Sequence, residues 1–256
     1  MFKLIRRVLI MRKKLPERWV QALENRVPYY SILPDPVKYE LHKRISVLMH
    51  EKNFEGCGGF KLTETEQVII SAYAGLLIIG EPSGYYPSLR TILIYPENYM
   101  APVHEEEESG IMTEGIEPRS GESWDLGTIV LSWEDIQNDL DNSFSGRNLI
   151  LHEFSHQLDV QYGLTAGIDE NGRVRTENEW NDTLSKHYLE LKRSIISGKN
   201  HLIDSYGATN PAEFFAVTTE TFFEDGYRLH REFPELYKIF KSFYNFDPAS
   251  ILPFPG

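Results

Sequence analysis

The chain has 256 residues and 41% hydrophobic content, enough to bury one substantial core, and its formal net charge of −12 argues against a broad nucleic-acid face, which needs clustered Lys and Arg. One cysteine, Cys57, excludes an intrachain disulfide and a Cys-rich zinc site and fits a reducing cytoplasm. The longest uncharged apolar run, Val68 to Gly80, is shorter than the roughly 20 residues that cross a bilayer, so it reads as a buried helix.

Charge is unevenly spread. Residues 1–18 carry Lys3, Arg6, Arg7, Arg12, Lys13, Lys14 and Arg18 against Glu17, which leaves −18 on the remainder. This segment is expected to be a basic, poorly ordered and solvated arm, able at most to touch an anionic membrane surface or an acidic partner. Arg6 and Arg7 interrupt its apolar stretch, so it does not read as a signal peptide. Residues 19–256 are expected to form a single catalytic unit.

Asp35 and Pro36 suit a helix start, and Val37, Leu41, Ile45 and Leu48 then recur at helical spacing. Gly56, Gly58 and Gly59 break the chain before Thr63, which with Glu66 makes a capping-box pattern leading into the Val68 run. Thr91 to Tyr95 and Thr128 to Trp133 are short, apolar and β-branched, and read as strands. Between them, His104 to Asp125, with Glu105 to Glu108 in a row, is expected to be a solvated loop. Gly146 to Tyr162 reads as a helix closed by Gly163, and further helices are expected over Asn178 to Ile196, Pro211 to Glu224 and Pro234 to Tyr244. Strands early and helices late give an α+β chain with few strands.

The chemistry lies in His152-Glu153-Phe154-Ser155-His156, an H-E-x-x-H pattern inside an expected helix. Side chains four apart share a helical face, so the two imidazoles can meet one zinc ion, with Glu153 placed as general base for a water. A catalytic zinc usually takes three protein ligands. Asp159 is too far along the helix axis to join both histidines and is expected to orient a ligand imidazole instead. The motif glycine and third histidine of metzincins are absent. A later helix offers Glu213 and Glu220, seven residues apart on one face, and the pattern alone divides the third-ligand role between them. Glu213 also sits where a glutamate commonly closes a capping box.

HEFSHQLD, with NPAEFFAV and ETFFE downstream, resembles the Mlc titration factor A family of bacterial zinc peptidases. Similarity runs from Leu93 to Pro96, through Glu122 to Trp124 and the 128–133 strand, to FYNFDP near the end, and covers well over half the chain. The resemblance implies a zincin-like, mainly helical metallopeptidase fold with a small sheet beside the H-E-x-x-H helix. It implies zinc on His152, His156 and Glu213, with Glu153 as general base, and it matches Tyr206 to a tyrosine near the metal that could donate to an oxyanion or occlude the water site. The expected activity is peptide-bond hydrolysis on a peptide or protein substrate, including an aminopeptidase form, with an extended substrate pairing to a strand edge near Thr128 to Trp133. The resemblance equally implies a regulatory protein that binds a transcriptional repressor of sugar uptake, with hydrolysis minor.

Overall fold

The computed structural model describes residues 2–80, 84–97, 99–106, 112–119, 121–124 and 127–251. Within the first third, helices α1 (Phe2–Met11), α2 (Glu17–Arg26), α3 (Pro28–Ile32) and α4 (Asp35–Glu51) lead into strand β1 (Asn53–Gly56) and helix α5 (Glu64–Leu77). Thr63 caps α5 in a reciprocal capping box with Glu66, as the sequence predicts. Every α5 residue from Val68 to Leu77 is buried, and α2, α4 and the later motif helix all pack on it. This explains why its sequence is apolar on all sides: a helix enclosed by neighbours has no polar face.

Strands β2 (Thr91–Tyr95) and β6 (Thr128–Ser132) pair in parallel, Thr91 opposite Thr128, with β1 parallel on the far side of β2 and β5 (Gly121–Trp124) antiparallel on the far side of β6. The order is β1-β2-β6-β5. Ile92, Ile94, Ile129 and Leu131 are buried, which accounts for the β-branched runs. Two expectations are corrected. The stretch from His104 is not a plain loop: β3 (Tyr99–Glu106) and β4 (Met112–Arg119) form an antiparallel pair before β5, while Glu107 and Glu108 lie outside the described residues. Reading like charges as a solvated loop overlooked that two strands pair through their backbones whatever side chains they carry. Nor is β6 an edge, because β2 and β5 occupy both of its sides; the edges are β1 and β5.

Trp133 begins helix α6 (Trp133–Asp141), and then follow the motif helix α7 (Leu149–Tyr162), α8 (Glu179–Ile196), a 3-10 turn (Ser205–Ala208), α9 (Pro211–Glu224), α10 (Gly226–Glu232) and α11 (Pro234–Tyr244). α7 packs on α5, on α9 and against β5 and β6. Behind α9 lies an aromatic layer in which Phe222 stacks on Tyr244 and meets Phe223 edge-on, and Phe215 contacts Phe240. The fold is α+β and mainly helical. Among the described residues, no helix is long and apolar enough to cross a membrane.

The amino-terminal segment is not the solvated arm that its charge predicts. It forms α1, packed on α4, and Arg7 is buried in a two-pronged ion pair with Glu51, Nε to Oε1 at 2.7 Å and Nη2 to Oε2 at 2.8 Å. A charge count treats each Arg as solvent-seeking and cannot see a partner 44 residues away.

α7 ends at Gly163 in the left-handed region, φ 63° and ψ 38°. A Cβ there meets only Ala166 at 3.8 Å, an ordinary contact, so backbone strain alone governs substitution. Gly163→Ala is expected to cost about 1 kcal/mol in urea unfolding, and Gly163→Asn less, since Asn tolerates this conformation.

Candidate metal centre

α7 begins where Asn148 accepts the Leu151 N–H on its side chain at 3.1 Å. From there Leu151, Phe154 and Leu158 turn into the core, and Phe154 packs edge-on against Tyr86. His152 and His156 fall on the adjoining face, one turn apart. α9 approaches that face from its own N-terminus, where Asn210 Oδ1 accepts the Glu213 N–H at 2.9 Å. Because Asn210 caps the helix without help, the Glu213 carboxylate is directed at the imidazoles: its Oε2 lies 3.1 Å from His152 Nε2 and 3.4 Å from His156 Nε2, and the two Nε2 atoms are 3.2 Å apart.

Three atoms bound tetrahedrally at zinc distances of about 2.0 to 2.1 Å would lie about 3.3 to 3.4 Å from one another. The observed triangle is close to that shape. Glu213 Oε2 is buried and has no hydrogen-bond partner, which is the condition of an acceptor awaiting a cation. Among the described residues, His152, His156 and Glu213 form the group able to hold a metal ion. The residues fit the ion that the sequence implies.

Glu220 supports this triangle from one helical face with Glu213. Its Oε1 accepts the His152 Nδ1–H at 2.8 Å, which leaves the Nε2 lone pair of the neutral ring pointing at the centre. Its Oε2 accepts the Asn148 N–H at 2.7 Å, so one carboxylate aims the imidazole and anchors the start of its helix. The two glutamates thus take different positions, Glu213 at both Nε2 atoms and Glu220 at Nδ1. Asp159 does not take the expected orienting place. Both its oxygens are engaged by Thr165, the N–H at 2.8 Å and the hydroxyl at 2.6 Å, and it fastens the turn after α7.

Burial opposes the His152 imidazolium, but the nearby Glu213 and Glu220 carboxylates outweigh it and raise its pKa well above the usual value. For Glu213 burial pushes upward, and the two imidazoles pull the carboxyl down to about 2. The centre favours added positive charge. Glu153 is buried, and burial raises its pKa against the pull of the two histidines. It lines, with His152 and Tyr206, a cleft of about 410 Å³. Tyr206 is 55% exposed, and its ring centroid lies 6.0 Å from that of His152.

The sequence reading missed a layer of carboxylates behind the site. Asp139 accepts the Leu149 N–H at 2.7 Å, and Glu224 accepts the Phe144 N–H at 2.6 Å and the Asn148 side chain at 3.0 Å. With Glu220 they hold the whole connection from α6 to α7. Glu224 was findable, since Glu220 and Glu224 are four apart in a helix that is buried almost throughout; Asp139 lies in a polar helix without distinguishing pattern.

A family profile described as glucose-regulated metallo-peptidase M90 matches residues 2–245. The chain belongs to this family. The uncharacterized protein slr2042 of Synechocystis sp. is 35% identical over 240 residues, covering 93% of this chain and 87% of the relative. Mlc titration factor A of Yersinia pestis, and that of Yersinia pseudotuberculosis, are each 30% identical over 237 residues, covering 92% and 86%. The match takes in α1 as well as the metal-site helices, and the metallopeptidase description accords with the His-His-Glu triangle.

Glu220→Gln keeps the shape but weakens the acceptor at His152 Nδ1. It is expected to lower divalent-metal affinity by about 10- to 100-fold, measured by competition with a chromophoric chelator. The carboxylate layer also predicts a pH dependence. Burial pushes Asp139 up to about 6 and Glu224 up to about 7, so between about pH 4 and 7 the folded protein holds protons that the unfolded chain has released. Their contribution to stability therefore falls as pH rises through that window. In urea titrations Glu224→Gln should show a shallower loss of stability from pH 5 to 7.5 than the wild type.

Proposed function

We propose that this chain is a zinc-dependent peptidase that cleaves peptide bonds with water, using His152, His156 and Glu213 as metal ligands and Glu153 as general base. The observation that carries this reading is the buried, unpartnered Glu213 Oε2 placed at tetrahedral edge distances from two imidazole nitrogens. Zinc bound there would supply a Lewis acid that polarises a carbonyl and acidifies water.

The remaining steps belong to the chain. Glu153, one residue from the first ligand and facing the same cleft, takes a proton from the attacking water and delivers it to the leaving amine nitrogen. Its raised pKa suits a group that must hold a proton for part of each cycle. Tyr206, across the cleft mouth, donates its hydroxyl to the carbonyl oxygen as that atom gains charge. Substrate in extended form would pair with β5, the sheet edge that lies against α7. An aminopeptidase form is supported by the far wall of the cleft, where Asp135 keeps a buried oxygen without a hydrogen-bond partner and Asp139 stands one turn further on. A free peptide amino group complements those carboxylates.

A second reading is favoured by the name of the Yersinia relatives, a titration factor for Mlc. In it the chain is regulatory and binds a transcriptional repressor of sugar uptake, with hydrolysis minor. Variants at Glu153 separate the two. Glu153→Gln is expected to reduce turnover of peptides bearing a free amino terminus by at least about 1,000-fold while retaining bound zinc, and Tyr206→Phe to lower kcat by about 100-fold with little change in KM. Undiminished hydrolysis by Glu153→Gln would sink the peptidase mechanism. Repressor binding that survives in a metal-free His152→Ala protein would favour the regulatory reading.

A further inference from the structure

α1 meets the protein through a mixed face: Arg7 is buried on Glu51 beside the buried Ile10 and the half-buried Met11, while the exposed Lys3 reaches the same carboxylate at 3.4 Å and the exposed Arg6 donates to the His50 carbonyl at 3.3 Å. Its outward side is apolar. Leu4, Ile5, Val8 and Leu9 are 62, 52, 45 and 56% exposed, and their spacing of three to five residues makes one continuous ridge. Ten large hydrophobic residues are exposed among the described residues, and four of them fall on this ten-residue helix, so the ridge is a local feature and not general surface character.

Cations border the ridge at its carboxyl end. The Arg12 N–H still bonds the Val8 carbonyl at 3.2 Å, which places Arg12 one turn beyond Val8, and exposed Lys13 and Lys14 follow. The remainder of the chain outside residues 1–18 carries −18. We propose that α1 docks the protein on an anionic lipid surface, its apolar ridge entering the boundary between headgroups and acyl chains, with Arg12, Lys13 and Lys14 on lipid phosphates. The acidic body would be repelled by the same surface, so the molecule approaches with α1 foremost.

A lipid surface suits this ridge better than a second copy. A convex helix about 15 Å long offers less than the roughly 800 Å² per partner of a stable protein interface. The Arg7–Glu51 pair holds the helix against the body, so the ridge is presented preformed and binding need not order it.

The test is flotation of the full-length protein with vesicles of phosphatidylcholine alone or mixed with phosphatidylglycerol. Wild type should float with the mixed vesicles at low salt, release as salt rises, and stay behind with phosphatidylcholine. Val8→Gln/Leu9→Gln and Arg12→Gln/Lys13→Gln/Lys14→Gln should each bind on the order of ten-fold more weakly, with unchanged circular-dichroism melting, since all five side chains are exposed. Absence of wild-type flotation, or equal flotation of wild type and either variant, would overturn the proposal. So would a dimer in light scattering that Val8→Gln/Leu9→Gln abolishes without any vesicle binding, which would assign the ridge to a second copy.

Discussion

The site depends on one carboxylate bridging two helices. Glu220, from α9, accepts the His152 Nδ1–H and the Asn148 N–H, and so fixes both the tilt of an imidazole and the first turn of the helix that carries it. An imidazole on a free helix face has rotamers to choose from, and two such rings with opposed lone pairs have no intrinsic reason to converge. The fixed tautomer at His152 leaves Nε2 as an acceptor beside Glu213, an arrangement of three acceptor atoms that is favourable only with a cation among them. α9 supplies both the acceptor at the centre and the support behind it, seven residues apart, and its burial on α7 and α11 makes that spacing rigid.

The buried carboxylates extend this logic. Asp139, Glu220 and Glu224 accept N–H groups from Phe144, Asn148 and Leu149, with the Asn148 side chain, so the chain entering α7 is stitched by acceptors rather than by backbone pairing. Such a connection has no regular structure of its own, and without these partners its N–H groups would be orphaned against the core. Burial that raises Asp139 and Glu224 is the electrostatic cost of that arrangement.

Local chemistry was readable in the sequence and long-range partnership was not. The capping box at Thr63, the strand Thr91–Tyr95, the α9 start at Asn210 and Pro211, and the stop at Gly163 all lie where short-range rules put them. H-E-x-x-H likewise fixes part of its own geometry, because helical pitch puts both imidazoles on one face, though their convergence needs Glu220 behind His152. Failures share a cause. Glu213 against Glu220, Asp159 turning to Thr165, Arg7 finding Glu51 and β6 lying inside the sheet each depend on which element arrives alongside, and no periodicity encodes that. Family resemblance implied a choice between Glu213 and Glu220 that spacing could not make.

Charge balance joins these observations. Glu153, Glu213 and Glu220 share the field of His152 and His156, Asp139 and Glu224 act on one another and feel Glu220, and Arg147 lowers Asp139. The centre partly compensates by favouring a protonated His152, but an imidazolium whose Nε2 carries a proton cannot also offer a lone pair. Were a divalent ion held by His152, His156 and Glu213, that conflict would be absent: Glu213 Oε2 would have a partner, and His152 would stay neutral while still donating to Glu220. Metal and proton would then compete for one position, and affinity for the ion would fall as acid fills it. Burial, with the Glu213 and Glu220 charges adding to it, also raises the Glu153 carboxyl against the pull of the two histidines, so the same enclosure that gathers negative charge at the centre eases protonation of the carboxylate beside it.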